Sequence, residues 1–181
     1  MSCSVKLVAI ALIASTLFSA LRPSKASSLS QQPPPFTLFD TAGKYVSLSD
    51  YKGQVVILNF WAFWCDTWKQ ELPSLTDLYS DEKQDHFRLL AISIDGTRVP
   101  VFERDTSGQK IPFPVLLDTG SNVSRSYGVR HVPTVVILDK EGKVRYSAYG
   151  YPGNHVLISE LRKIESAGAQ NWSIGHITIP L

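Results

Sequence analysis

Residues 55–60 form a nearly continuous apolar run, and a cysteine follows shortly afterwards at Cys65. From Cys65 to about Tyr79 the apolar side chains recur with the period of a helix, so that Trp68 and Leu72 share one face. An apolar run of this kind fits a central parallel strand that is covered on both of its faces. The segment therefore predicts a buried strand that leads into a helix, with the cysteine at the junction.

The rest of the chain alternates short apolar runs with amphipathic segments. We predict strands at residues 36–40, 44–48, 55–60, 87–94, 113–117, 134–138 and 143–149, and helices at residues 65–79, 99–104, 122–127 and 156–164. This alternation predicts an α/β fold with helices on both faces of one central sheet. The turn at residues 139–142 predicts a closing antiparallel hairpin, which makes the sheet mixed. Residues 36–48 add a small β element at the N-terminal side.

Four segments of the chain resemble those of a known family. They are residues 59–73 (NFWAFWCDTWKQELP), 113–118 (FPVLLD), 129–134 (VRHVPT) and 139–142 (DKEG). Their order and spacing resemble the thioredoxin superfamily, and most of all its exported TlpA/ResA-like thiol oxidoreductases of the AhpC/TSA-redoxin type. The resemblance covers about residues 36–166 and implies a thioredoxin fold.

The chain departs from this family at Trp68, the position where the resemblance places a second cysteine. In the family the first cysteine attacks a disulfide, and the second resolves the mixed disulfide that forms. Here Cys65 matches the attacking cysteine, and Cys3 is the other cysteine of the chain. Dithiol–disulfide cycling between positions 65 and 68 is therefore impossible. Trp68 lies on the same face as Leu72, which favours packing in the core; shielding of Cys65, or stacking on a ligand, is the alternative.

Cys65 retains the surroundings expected of a reactive thiol. A cysteine at the start of a helix faces unpaired backbone N–H groups and the positive end of the helix dipole. Both effects favour the thiolate, which is the nucleophilic form of cysteine. We therefore predict that Cys65 is reactive, with an inert cysteine inherited by descent as the alternative.

The resemblance also implies roles for residues near Cys65. Glu71 matches an acidic residue that can accept a proton in the family, although a solvated helix charge is an equally simple interpretation. Pro133 matches the cis-proline that faces the cysteine, and the backbone of Val132 would pair there with a substrate strand. Trp64 is expected at the rim of the same substrate-binding region. His131 with Cys65 makes only a weak metal-binding pattern, so we predict neither a metal site nor a cofactor.

The N-terminal residues have the pattern of an export signal. Lys6 precedes an uncharged apolar run at residues 7–21, and residues 24–26 (SKA) resemble a cleavage site that ends at Ala26. We predict a signal peptide at residues 1–26, a linker at 27–35, the thioredoxin-like domain at 36–166 and a C-terminal tail at 167–181. An uncleaved membrane anchor is the alternative for the first segment. Both interpretations place the domain outside the cytoplasm, in the periplasm or cell envelope.

Cleavage would also change the charge of the protein. Residues 1–26 contain three basic residues and no acidic one, so the mature chain has 15 basic and 16 acidic residues. This balance argues against nucleic acid as a partner, because no basic patch remains. The expected partners are protein or small-molecule thiols and disulfides. A membrane is a partner only if the N-terminal segment stays as an anchor.

Three functions fit these residues. The favoured one is a monothiol thiol–disulfide oxidoreductase, in which an external thiol resolves the intermediate formed on Cys65. The alternative is a non-catalytic binding module that holds a peptide or client protein beside Pro133. A one-cysteine peroxidase ranks last, because the peroxiredoxin pattern requires proline at Leu58 and threonine or serine at Ala62.

Overall fold

The computed structural model describes residues 33–81, 86–96 and 111–174, with the side chains of residues 168–174 left undescribed. Its strands are β1 (Thr37–Asp40), β2 (Tyr45–Ser47), β3 (Val55–Trp61), β4 (Phe87–Ser93), β5 (Val115–Leu117), β6 (Thr134–Leu138) and β7 (Val144–Tyr149). Its helices are a 3-10 turn at Leu48–Tyr51, then α1 (Trp68–Asp81), α2 (Asn122–Ser126) and α3 (Asn154–Ile174).

The described strands form one seven-stranded sheet in the order β2-β1-β5-β4-β3-β6-β7. Strands β3, β4 and β5 are parallel to one another. Strand β6 pairs with β3 in the antiparallel direction, and β1 pairs in the same way with β5. The hairpins β1–β2 and β6–β7 complete the sheet. The prediction of a mixed sheet with an N-terminal β element is confirmed.

Strand β3 is the centre of the molecule, as its continuous apolar run predicts. All seven of its residues are buried. Because successive side chains of a strand point to opposite faces, Ile57 belongs to one core cluster and Leu58 to the other. Both side chains are fully buried. The two faces of the sheet are therefore both covered, which explains why β3 has no alternation of polar and apolar residues.

Helices cover both faces, as expected. The apolar face of α1 packs with Leu157 and Leu161 of α3 in the first cluster, beside Ile57. On the opposite face, Val123 of α2 joins the second cluster with Leu58. The fold is thus the thioredoxin-like α/β arrangement that the sequence predicts.

The helix boundaries differ from the predictions by more than two residues at two places. Helix α1 begins at Trp68 instead of Cys65, because the chain before it forms tight turns: the N–H groups of Cys65 and Trp68 each donate to the carbonyl three residues back. Helix α3 continues to Ile174, well past the last apolar position at Ile164 from which we predicted its end. The predicted helix at residues 99–104 lies outside the described residues.

Candidate functional site

Cys65 lies between the end of β3 and the start of α1. Its N–H donates to the carbonyl of Ala62 (3.2 Å), and its own carbonyl accepts from the N–H of Trp68 (3.3 Å). These two bonds hold the cysteine in consecutive tight turns at the edge of the sheet. Its side chain is half-buried and its thiol is free. The turns therefore fix the backbone of a cysteine that is partly exposed to solvent.

The fold brings Cys65 to a loop that is distant in the sequence. The Sγ atom lies 3.6 Å from the carbonyl oxygen of Val132, to which the thiol donates. The peptide bond between Val132 and Pro133 is cis. Strands β3 and β6 are neighbours in the sheet, and this pairing places the end of one beside the beginning of the other. The structure thus brings together Cys65, Val132 and Pro133, three of the five residues that we predicted for the site.

Trp68 packs in a cluster of three aromatic rings. Its ring centroid lies 5.7 Å from that of Trp61 and 5.9 Å from that of Phe63, with the rings tilted or edge-on to each other. Only 5% of Trp68 is exposed, which agrees with packing in the core. Aromatic pairs in such geometries stabilise a fold beyond the area that they bury. The residue at the position of the family's second cysteine is therefore an element of the core.

Trp64 has the opposite environment. It is 65% exposed and lies next to Cys65 in the sequence. Next to the Val132–Pro133 loop, the exposed ring of Tyr149 packs edge-on against His131, with 4.9 Å between centroids. Trp64 is predicted at the rim from the sequence, whereas Tyr149 is not, because an exposed tyrosine at the end of an edge strand has no distinguishing pattern.

Glu71 is buried rather than solvated. Only 5% of the residue is exposed, and among the described residues its Oε2 atom has no hydrogen-bond partner. Burial raises its pKa to about 6, although a hydrogen bond with the Thr67 side chain acts in the opposite direction. The interpretation of Glu71 as a solvated helix charge is therefore wrong. A carboxyl group with this pKa changes its charge close to neutral pH, as a proton acceptor must.

Thr67 is a site residue that the sequence analysis missed. Its Oγ1 atom lies 3.2 Å from the sulfur of Cys65, and its side chain lowers the pKa of Glu71 against the larger effect of burial. A threonine just before a helix ordinarily indicates a capping residue. The direction of its hydroxyl group, which decides its role here, has no signal in the sequence.

The arrangement does not suggest a metal centre. Among residues 33–81, 86–96 and 111–174, no group of three or more His, Cys, Asp or Glu residues is placed to hold a metal ion. His131 instead packs its ring on Tyr149. The chemistry available at the site is that of a thiol, a hydroxyl and a carboxyl group.

Replacing Glu71 with glutamine is expected to raise the free energy of unfolding at pH 7.5 by up to about 2 kcal/mol. Its raised pKa means that the folded protein binds this proton more tightly than the unfolded chain does. The contribution of Glu71 to the free energy of unfolding should therefore fall as the pH rises from about 4.5 to about 6. At higher pH this contribution should stay constant. Glutamine resembles the neutral acid and should remove this loss.

Urea titrations at several pH values check this expectation. Glu141→Gln is the matched control, because Glu141 is exposed in the turn between β6 and β7. The gain from Glu71→Gln should vanish below about pH 4.5, where both forms of residue 71 are neutral. An equal gain at pH 4 and pH 7.5 would contradict a buried, titrating Glu71.

Comparison with known proteins gives a consistent result. Residues 29–147 match the AhpC/TSA family. The thiol-disulfide oxidoreductase ResA of Bacillus subtilis (strain 168) is 36% identical over 139 residues, which are 76% of this chain and 77% of that protein. The ResA of Bacillus thuringiensis subsp. konkukian (strain 97-27) is 33% identical over 136 residues, 75% of this chain and 78% of that protein.

A solved structure supports the same relationship. The pneumococcal exposed lipoprotein thioredoxin Etrx1 from Streptococcus pneumoniae strain TIGR4 superposes with a TM-score of 0.63 at 32% identity. The match covers 72% of this chain and 99% of that structure.

Proposed function

Because this chain belongs to the AhpC/TSA family and is a TlpA/ResA-like member of the thioredoxin superfamily, we propose that it exchanges thiols and disulfides through Cys65 alone. A thioredoxin-like redox function follows from its relatives, which include thiol-disulfide oxidoreductases. The monothiol mechanism is our proposal. The observation that carries it is the free thiol of the half-buried Cys65, whose sulfur lies 3.6 Å from the Val132 carbonyl oxygen, with a core tryptophan at position 68.

The proposed reaction has two steps. In the first, the Cys65 sulfur attacks one sulfur of a substrate disulfide, so that a mixed disulfide forms and the other substrate sulfur leaves as a thiolate. Cys65 is oxidised and the leaving sulfur is reduced. In the second, an external thiol attacks the mixed disulfide, releases Cys65 in its reduced form and keeps the substrate sulfur in a new disulfide.

The second step must use an external thiol. Position 68 holds a tryptophan whose ring is packed against Trp61 and Phe63, so no sulfur is available on α1 to attack the intermediate. Cys65 is the free cysteine of the described residues. The enzyme would therefore depend on a small thiol or on a second protein to complete its cycle.

We assign two kinds of role to the residues around Cys65. Glu71 is the proton acceptor, since burial raises its pKa to about 6. The Val132 backbone, Pro133 and the exposed Trp64 form the substrate-binding surface. That surface accepts a protein or small-molecule disulfide, with no metal or cofactor taking part.

A binding module is the second candidate. Large exposed aromatic side chains at Trp64 (65%) and Tyr149 (70%) favour it, since they offer a contact surface beside the Val132–Pro133 loop. On this alternative, the loop would hold a client protein and Cys65 would take no part in its chemistry.

The test that separates the two functions is exchange with glutathione disulfide. Each reduced Cys65 should release one molecule of glutathione and bind the other glutathione in a mixed disulfide. Cys65→Ser is the blank, and it also subtracts any reaction at Cys3. Retained client binding by a protein whose Cys65 fails to exchange would favour the binding module.

We also propose that the protein acts outside the cytoplasm after removal of residues 1–26. Its relative Etrx1 is an exposed lipoprotein, which supports an extracytoplasmic site. Within the described part of the chain, no helix combines the length and apolar character that crossing a membrane requires. The division into a linker at 27–35, a domain at 36–166 and a tail at 167–181 belongs to the same proposal.

The mature protein is expected to begin at Ser27, because residues 24–26 (SKA) resemble a cleavage site. N-terminal sequencing of protein from the cell envelope checks this position. An intact Met1 on protein from a soluble cytoplasmic fraction would contradict export, and an intact Met1 on membrane-bound protein would indicate an uncleaved anchor.

A further inference from the structure

The sulfur of Cys65 has hydrogen-bond partners of two kinds. Its Sγ atom lies 3.6 Å from the carbonyl oxygen of Val132, a group that can only accept a hydrogen. It lies 3.2 Å from the Oγ1 atom of Thr67, a hydroxyl group that can donate or accept. A thiol has one hydrogen, and the Val132 carbonyl accepts it. In the reduced protein the Thr67 hydroxyl therefore donates its own hydrogen to the sulfur.

A mixed disulfide changes these contacts. The sulfur of Cys65 then carries no hydrogen, so it no longer donates to the Val132 carbonyl. The hydroxyl of Thr67 can still donate, because a disulfide sulfur keeps its lone pairs. When Cys65 leaves the mixed disulfide as a thiolate, its negative charge therefore forms beside a carbonyl oxygen that cannot stabilise it and a hydroxyl group that can.

Backbone donors near the sulfur are engaged elsewhere. The N–H of Cys65 donates to the carbonyl of Ala62, and the N–H of Trp68 donates to the carbonyl of Cys65. Helix α1 begins only at Trp68, three residues after the cysteine. The hydroxyl at position 67 therefore supplies the sulfur with a donor that these two N–H groups do not provide.

We propose that Thr67 is a further catalytic residue, whose hydroxyl stabilises Cys65 as the leaving group when an external thiol opens the mixed disulfide. This inference rests on the proposed function, because it concerns the second step of the exchange. With tryptophan at position 68, Cys65 must leave in response to an external thiol. A thiolate that is better stabilised leaves faster.

The step balances without any added group. The external thiolate attacks the substrate sulfur, a new S–S bond forms between these two atoms, and the bond from the substrate sulfur to the Cys65 Sγ atom breaks. The electron pair of that bond goes to Cys65, which is reduced while the external thiol is oxidised. The hydrogen of Thr67 stays on Oγ1. Its hydrogen bond becomes charge-assisted, and therefore stronger, as the sulfur becomes negative.

Removing the hydroxyl should slow the release of Cys65. We expect Thr67→Val, which keeps the shape of the side chain, to slow it about 5-fold, as fits one hydrogen bond from an exposed residue. Thr67→Ser keeps the hydroxyl and should retain most of the rate. Thr76→Val is the matched control on the same helix, because the hydroxyl of Thr76 donates to the carbonyl of Leu72 (2.8 Å) and should not affect release.

The experiment uses the full chain with Cys3→Ser, carrying glutathione on Cys65. Release by dithiothreitol is measured at about pH 10, where an ordinary thiol is ionised. The opposite half-reaction, attack of the reduced protein on glutathione disulfide, is measured at the same pH. Charge appears on the sulfur of Cys65 during release and disappears during attack, so Thr67→Val should slow release but not attack. Thermal unfolding shows whether each variant is folded, and Thr67→Ala is a second variant without the hydroxyl.

Two results would overturn the proposal. One is release at the same rate from Thr67→Val and from the natural residue. The other is an equal slowing of both half-reactions, which would mean that the substitution only displaced the sulfur. Failure of the protein with Thr67 to form the glutathione adduct would reject the proposed function instead.

A double-mutant cycle separates this role from any effect through Glu71, whose pKa the Thr67 side chain lowers against the larger effect of burial. If the hydroxyl acts directly on the sulfur, Thr67→Val should slow release by the same factor in the Glu71→Gln protein. Loss of the slowing in that background would contradict a direct action on Cys65.

Discussion

Replacing Trp68 with cysteine is expected to create an internal disulfide with Cys65 and to make the protein a catalyst of insulin reduction by dithiothreitol. The N–H of residue 68 donates to the carbonyl of Cys65 at 3.3 Å, so the two residues are the ends of one tight turn. The Cα atoms at the ends of such a turn lie within about 7 Å of each other, close to the range that a disulfide spans. The substitution would thus restore the second sulfur of the family.

The same substitution should weaken the core. Trp68 is 5% exposed and packs against Trp61 and Phe63. Truncating a buried tryptophan to alanine costs about 3–5 kcal/mol, because the contacts are lost and a cavity remains. The matched control is Trp68→Ala, which should show the loss of stability without any disulfide or insulin reduction. Urea unfolding and a count of free thiols after mild oxidation measure the two effects separately.

Two free thiols in an oxidised, folded Trp68→Cys protein would contradict this expectation. Circular dichroism establishes whether the variant is folded. That result would mean that the turn at Cys65 no longer has the geometry of its relatives, and it would favour an inert Cys65.

The core of the fold is predictable because its signal is local. The apolar run at residues 55–60 indicated a central strand, and every residue of β3 is buried. The shared helix face of Trp68 and Leu72 correctly indicated packing in the core. Such periodicities indicate directly which face of a helix or strand is buried. They can therefore be interpreted without knowing which element packs against that face.

The start of α1 could not be predicted from the same signal. The N–H groups of Lys69 and Gln70 donate to carbonyls three residues back. Glu71 is the first residue whose N–H donates to the carbonyl four residues back, as in an α-helix. Apolar spacing does not distinguish these tight turns from the first turn of an α-helix. At the end of α3, Ala167 and Ala169 favour a helix but do not extend its large apolar face. The apolar periodicity used for the prediction therefore ends before the helix does.

The site was predictable in part. The resemblance identified Cys65 and Pro133, which a β3–β6 pairing brings to one edge of the sheet. The burial of Glu71 was not predictable, because a charged residue on a helix ordinarily faces solvent. Its environment includes Tyr151, which is 80 positions away in the sequence and approaches only in the folded chain. The contact between Thr67 and the Cys65 sulfur depends on a side-chain direction that no sequence pattern reports.

A mixed disulfide on Cys65 is expected to persist until an external thiol arrives. Position 68 holds the packed ring of Trp68 instead of a second thiol, so α1 offers no thiol to displace the substrate. Uncatalysed disulfide rearrangement takes minutes to hours, so the adduct should have a half-life on the order of hours in the absence of thiols. In Trp68→Cys the new thiol should instead release the substrate as the internal disulfide forms, which makes this variant the matched comparison.

Intact-mass spectrometry of the glutathione adduct tests the monothiol mechanism most directly. The experiment uses protein in which Cys3 is replaced by serine, so that Cys65 is the one cysteine of the chain. We predict one glutathione per chain, stable after removal of excess reagent and lost on addition of dithiothreitol, with no adduct when Cys65 is also replaced by serine. A reduced, folded protein that gains no glutathione at Cys65, or that sheds it without any added thiol, would contradict the mechanism.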